Sequence, residues 1–267
     1  VGGVRDLIGA GVRRLDGWCE PHFRLTRPLY VADPAAAAGA GVWSAQEWQR
    51  HRRAATAPFE AHADRCAGDA QYARYLVAIH EAKLRAVLAL ADTFDFGPYR
   101  RVLELGCGDM AQAFVLCGRL PGLAYTATDF DAGVIADCAR LPLLAGIDKR
   151  VFDVTGPDLG LLDGHDLALS WSLEFSLDDA QLTRLFAACK AHAVPWLLCT
   201  HTGIGPLRFW LEAPRASRQR RYAREPGWRL HGWLRSAGQI ATLAGAAGIA
   251  LAWRARLANH TALLFEP

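Results

Sequence analysis

A carboxylate two residues before a pair of glycines is the first place where this chain could do chemistry. In Val102-Leu-Glu-Leu-Gly-Cys-Gly-Asp-Met110 an apolar run ends at Gly106-Cys107-Gly108, and a helical pattern begins at Ala111. Glycines at such a junction let the backbone approach a ligand closely, and the helix N-terminus behind them favours negative charge. The spacing Gly106-x-Gly108-x-x-Ala111 fits the dinucleotide fingerprint, with a tight turn without any ligand as the alternative. Glu104 separates the readings. A carboxylate there repels a pyrophosphate, whereas a cofactor with a cationic amino-acid end would welcome it.

Two further groups stand at the ends of apolar runs, and a third site is a charged segment. Asp129, in Tyr125-Thr-Ala-Thr-Asp-Phe130, lies 21 residues after Gly108 and can accept two ribose hydroxyls, one on each carboxylate oxygen. NAD proteins share that spacing, so it speaks for a nucleoside and not for one cofactor. Asp129 could instead cap the next helix, a role that Asp131 fits better. His201, in Thr200-His-Thr-Gly203, follows a later apolar run, and an imidazole titrating near ~6.5 suits proton abstraction at neutral pH. His80, His231 and Tyr30 are weaker candidates for a base. Arg215 to Arg235 is dense in arginine, with Tyr222, Trp228, His231 and Trp233 interleaved. Arg221, Trp228 and His231 are the expected substrate contacts there, since arginine forks bind carboxylate or phosphate and aromatics stack on planar or sugar groups. A solvated charged helix is the competing use of the same texture.

The elements that must position these groups change character near residue 98. Before it, helical patterns dominate. Ser44-Ala-Gln-Glu47 reads as a capping box, Asp33 to Gly41 as a loop, and Asp69 to Thr93 as a long amphipathic helix. Beyond it, strands at 101–105, 123–128, 150–154, 166–171 and 196–200 alternate with helices at 111–120, 132–144 and 178–192. That alternation predicts right-handed βαβ units and a mostly parallel sheet. The rhythm breaks at about 201–235 and resumes with a helix at 236–247. Two close strands follow, 249–257 and 261–265, whose short link predicts a hairpin with an antiparallel last strand.

With these residues in this order, the chain resembles class I S-adenosylmethionine-dependent methyltransferases. Glu104-Leu-Gly106-Cys107-Gly108 is similar to the motif that cradles the methionine part of the cofactor, although Met110 stands where many members have a third glycine. The resemblance implies that Asp153 accepts from the adenine amino group while Val154 offers its backbone N–H, with a plain turn as the alternative for Asp153. It implies that Phe130 packs on the adenine or in the core, and that Trp171 lines the cofactor pocket or the core. Leu173-Glu174-Phe175 stands where many members have Leu-Glu-His, so no histidine base is available at Phe175. The resemblance covers residues 98–200 well and the closing hairpin fairly. The implied fold is α/β, a Rossmann-like seven-stranded sheet. From the sequence patterns, residues 1–97 are expected to form an N-terminal helical cap for substrate or dimer contacts, and residues 98–267 a cofactor-binding domain with an insert at about 201–235.

Composition narrows the partners. The chain has 267 residues, 52% of them hydrophobic and 21% charged, with net charge +3. This is a globular composition, and it does not support a dedicated nucleic-acid binder. The seven cysteines show no CxxC pair, which argues against a zinc site or disulfide framework and for a reducing cytoplasm. No run reaches the ~20 apolar residues of a membrane span. The expected function is S-adenosylmethionine-dependent methylation of a small-molecule hydroxyl, on a sugar or secondary metabolite, with an anionic or glycosylated acceptor and a homodimer as further expectations. Alternatives are an RNA- or N-directed methyltransferase, a non-catalytic cofactor-binding partner protein and an NAD(P)-dependent oxidoreductase.

Overall fold

The computed structural model describes residues 23–32, 67–200, 213–225, 227–257 and 260–267. Five strands of the main sheet run parallel: β2 (Arg101–Leu105), β3 (Ala124–Asp129), β4 (Asp148–Val151), β5 (Leu167–Trp171) and β6 (Trp196–Thr200). The closing hairpin, β8 (Ala250–Leu257) and β9 (His260–Glu266), adds to β6 with β9 antiparallel, giving the order β4-β3-β2-β5-β6-β9-β8. The mixed seven-stranded α/β sheet expected from the sequence is therefore the sheet observed. The chain reverses its direction of travel across the sheet between β2 and β5. A crevice opens at the carboxyl ends of strands at such a switch point.

The central strands β2, β5 and β6 bury both faces, and their side chains alternate between two cores. Val102 and Glu104 face one side of β2, while Leu103 and Leu105 face the other. The first side is covered by α1 (Asp69–Thr93) through Tyr72, Leu76, Val87 and Leu90, together with α2 (Ala111–Arg119) and α3 (Ala132–Ala139). The second is covered by α4 (Asp179–Ala191) and α6 (Ala237–Ala246), where Phe186 packs on Trp196 and Phe265 at centroid distances of 4.7 and 4.9 Å. Helix α3 stops five residues short of Leu144. Pro142 cannot donate a backbone hydrogen bond, and the segment tightens into a 3-10 turn instead.

Two strands had no clear signal in the sequence. β1 (Thr26–Ala32), in a region read as helical, pairs antiparallel with β7 (Trp228–Arg235), in a region read as a break in rhythm. Pro28 weakens the local strand pattern of β1, and Gly232 does the same in β7. Helix α5 (Ala213–Tyr222) lies between β6 and β7 in the chain. The β1–β7 ribbon is tied to the start of α6, where Ser236 Oγ donates to the Phe23 carbonyl and accepts from Leu25 N–H. The capping-box segment at Ser44 and the loop at 33–41 lie outside the described residues. No helix among the described residues is long and apolar enough to cross a membrane.

Candidate active site

Where β2 and β5 end, their following turns close on one another. Gly106 adopts φ +69°, and a Cβ placed on it would meet Leu173 Cδ1 at 3.1 Å. Gly108 also has a positive φ, +56°, but a Cβ there would meet only open space. The loop thus needs glycine at both positions for its backbone, and at Gly106 also for packing. Met110 completes the turn at φ 59°, a left-handed conformation that costs a residue with a Cβ about 1–2 kcal/mol. Its side chain is fully buried in the α1-side core, and this packing holds it there in place of a third glycine.

α1 clamps this loop from outside. Tyr72 Oη donates to the Asp109 carbonyl at 2.7 Å, Tyr75 Oη to Asp109 Oδ2 at 2.9 Å, and Lys83 lies 3.9 Å from Asp109 Oδ1. Glu104 sits beneath the loop, fully buried beside Tyr125. Burial pushes its pKa up to about 8, against the opposing pull of Lys83. A buried carboxyl at this position fits a cationic ligand group above it, which would favour the ionised form. Cys107 is buried next to it and its thiol is pushed well up, again by burial, so it is an inert packing group.

The crevice itself is a cavity of about 300 Å³, at the lower end of the range for small-molecule sites. Gly106, Asp129, Phe130, Asp153 and Val154 line one part of it. Asp129 is fully buried and its two oxygens accept from Gly108 N–H at 3.1 Å and Asp131 N–H at 3.0 Å. Asp131, not Asp129, caps α3 by accepting from Gly133 N–H. Asp153 is exposed, and its Oδ1 accepts from both the amide and the hydroxyl of Thr155. The turn role weighed for Asp153 is present along with its place in the cavity wall.

The opposite part is built by β5, the turn after it, and β7. Trp171 is 5% exposed, and its Nε1 finds no hydrogen-bond partner among the described residues; nor does the buried Oγ of Ser172. Buried donors of this kind point to a ligand, because leaving them unmade is costly. Leu230, His231, Gly232 and Trp233 of β7 form the facing wall. β7 is held in place by Arg235, a fully buried guanidinium. It donates to the carbonyls of Glu174 and Leu177 and pairs with Asp179 Oδ1 at 2.7 Å. Burial pushes Glu174 up to about 7, with Thr200 and Arg235 opposing the shift.

Several expected residues stand elsewhere. Arg221 is exposed on α5 and pairs with Glu225 at 2.6 Å. Trp228 stacks on Tyr222 at 3.6 Å. Neither lines the cavity, and Arg218, Arg220 and Arg224 are likewise exposed. Of the three expected substrate contacts, His231 is the one brought to the cavity. His201 and the His80 side chain lie outside the described residues. Tyr30 is half-buried on β1, its amide donating to Gln219 Oε1. Sequence reading named Trp233 among the aromatics of this segment without selecting it, and it missed Leu230, because the placement of both depends on a pairing between strands about 200 residues apart in the chain.

No protein-family model matches the chain, and no curated protein matches it. Solved structures do. The chain is similar to human N-acetylserotonin methyltransferase in complex with SAM, at 20% identity and TM-score 0.57, covering 79% of this chain and 58% of that one. It is similar to mitomycin 7-O-methyltransferase MmcR, at 14% identity and TM-score 0.56, covering 84% and 68%. A third is NcsB1, an O-methyltransferase from neocarzinostatin biosynthesis, in complex with S-adenosylmethionine and 2-hydroxy-5-methyl naphthoic acid. There the identity is 16% and the TM-score 0.54, covering 74% and 57%. The chain has the class I S-adenosylmethionine-dependent methyltransferase fold, and it spans about 58% of the length of the first of these.

Proposed function

We propose that this protein is an S-adenosylmethionine-dependent methyltransferase acting on a hydroxyl of an uncharged small molecule, with an aromatic ring as the best fit to the walls. The observation that carries this reading is one cavity at the switch point of the sheet. It joins Gly106, Asp129 and Phe130 on one side to Trp171 and the β7 wall on the other. The first group suits a nucleoside, and the second a flat acceptor. Asp129 would hold the ribose hydroxyls and Asp153 with Val154 the adenine edge. The glycine loop would hold the amino-acid end, with Glu104 beneath it.

S-adenosylmethionine supplies a methyl already activated on a sulfonium. The chain's own residues then have a modest task, which is to align the acceptor oxygen, exclude water and take a proton. Trp171 and Trp233 provide flat faces for alignment, with apolar Leu173 and Leu230 beside them. The cavity's described lining includes Asp129, Asp153 and Asp178 but no Lys or Arg. An anionic acceptor would meet like charge without a partner there, which is why the proposal departs from the anionic acceptor that the arginine-rich segment suggested.

The test is a thermal-shift titration with S-adenosylmethionine, S-adenosylhomocysteine and NADPH on the wild type and Asp129→Asn. Ligand at ~100 times its dissociation constant stabilises by about 2.7 kcal/mol. A shift with both adenosyl ligands, weakened in Asp129→Asn and absent with NADPH, is expected. A shift with NADPH alone would overturn the proposal.

A further inference from the structure

Ser172, the first residue after β5, has an uncommon backbone for its type. Its φ is +61°, in the left-handed region that disfavours a residue with a Cβ. Its neighbours hold it there. Trp171 before it packs on the His260 ring at a centroid distance of 4.9 Å, and Leu173 after it lies against Gly106 of the glycine loop. Ser172 N–H donates to the Cys199 carbonyl of β6 at 2.8 Å, and the Ser172 carbonyl accepts from Phe175 N–H at 3.3 Å. Backbone strain fixed from several sides clusters where a chain presents a particular group to a ligand.

The group presented here is a hydroxyl. A serine at the start of a helical turn ordinarily accepts from a backbone N–H, yet the Ser172 side chain makes no such bond. Its Oγ is buried in the cavity wall and finds no hydrogen-bond partner among the described residues. Trp171 Nε1 is in the same state, in a residue that is 5% exposed and also lines the cavity. Two unpaired donors in consecutive buried positions are costly, and as hydrogen-bonding groups neither holds the fold together.

The chemistry of the wall defines what would pair with them. An indole N–H only donates, so the ligand must offer a lone pair. The described lining has Asp129, Asp153 and Asp178 but no Lys or Arg, so a carboxylate or phosphate would meet like charge there. The oxygen that fits is a neutral one. Both donors belong to the part of the wall built by β5, its following turn and β7, apart from the Asp129, Asp153 and Val154 part that suits a nucleoside.

We infer that Trp171 and Ser172 are specificity-determining residues that donate hydrogen bonds to a neutral carbonyl oxygen of the acceptor. The inference rests on the methyltransferase reading and deepens it. The acceptor class is a hydroxylated ring that also carries a ketone, quinone or amide carbonyl. A ring with the hydroxyl alone leaves the donors unpaired, and a site built to hydrogen-bond a substrate atom rejects the analogue that lacks it.

The experiment titrates matched probes into the full chain by calorimetry, with and without S-adenosylhomocysteine. The probes are the ortho, meta and para hydroxyacetophenones and the corresponding ethylphenols, in which a methylene replaces the carbonyl. With S-adenosylhomocysteine bound, the wild type is expected to bind the best hydroxyacetophenone roughly tenfold more tightly than its ethylphenol. Ser172→Ala and Trp171→Phe should each cut that preference by about threefold, and the double variant should bring it near unity. Affinity for S-adenosylhomocysteine should stay within about twofold, which shows that the variants are folded. Ligand-free Ser172→Ala should melt no lower than the wild type, because it removes an unpaired hydroxyl. Equal affinities of the paired probes for the wild type, or a preference that survives in the double variant, would overturn the inference. So would a loss confined to S-adenosylhomocysteine, which would assign the donors to the cofactor, or a lowered melting temperature of ligand-free Ser172→Ala. A carbonyl preference in a wild type that does not bind S-adenosylhomocysteine at all would instead overturn the methyltransferase reading and leave the two donors as a carbonyl site.

Discussion

Gly232 lies so close to the Phe175 ring that a Cβ on it would fall 2.3 Å from Cε1. This contact brings an element far along the chain down onto the turn that follows β5, and so closes the acceptor side of the cavity. The nearest atoms all belong to one aromatic ring packed against His231, and relief would require that ring to move. Gly232→Ala is therefore expected to destabilise by about 1–3 kcal/mol. It should weaken acceptor binding more than S-adenosylhomocysteine binding, which calorimetric titration of each ligand would separate. Equal losses for both would show that the strain spreads beyond β7.

Arg235 anchors the same wall from its other end. Its guanidinium is buried, and without it the carbonyls of Glu174 and Leu177 would lose their donors. Removing one partner of a buried, hydrogen-bonded charge costs about 3–5 kcal/mol. Arg235→Ala should show a loss of this order by urea unfolding. Arg235→Lys should recover only part of it, because one ammonium cannot span three separated acceptors. A loss below about 1 kcal/mol would count against the anchoring role.

Glu104 makes stability depend on pH with a definite sign. Burial raises its folded-state pKa from 4.5 to about 8. Between those values the folded chain keeps a proton that the unfolded chain releases, so stability falls as pH rises through that window. At about 1.36 kcal/mol per pKa unit the total is on the order of a few kcal/mol. Glu104→Gln carries no such proton. Its stability relative to wild type should rise steadily from pH 4.5 to pH 8, as measured by denaturant unfolding at several pH values. A constant difference across the window would mean that the carboxyl ionises normally in the folded protein.

Met110 sets conformational strain against packing. Its left-handed backbone favours glycine by about 1–2 kcal/mol, while its buried side chain contributes roughly 2–5 kcal/mol. Both Met110→Gly and Met110→Ala should destabilise, with the glycine variant the less damaged by about 1 kcal/mol. Thermal unfolding of the pair reads the difference directly, and a more stable alanine variant would contradict the strain.

The parallel sheet, its closing hairpin and the carboxyl-edge positions of Gly106, Asp129 and Trp171 were legible in the residues alone. These follow from local information. Runs of apolar residues alternate with helical periods, and the glycine-rich turn and Asp131 mark the starts of the helices they precede. The limits of α1 were legible for the same reason, since 25 residues of one period leave little freedom. The acceptor side was not legible in this way. β1 and β7 each carry a residue that breaks strand pattern, Pro28 and Gly232, and neither has a partner nearby in the chain. Their pairing is a long-range choice made by burial and by the buried guanidinium of Arg235, and it re-sorted the arginine-rich segment. Arg235 went inward to hold the wall, Arg221 went outward to solvent, and a bulge carried His231 into the cavity. Composition cannot encode that division, because the same arginines and aromatics serve either side until the register between two distant strands is set.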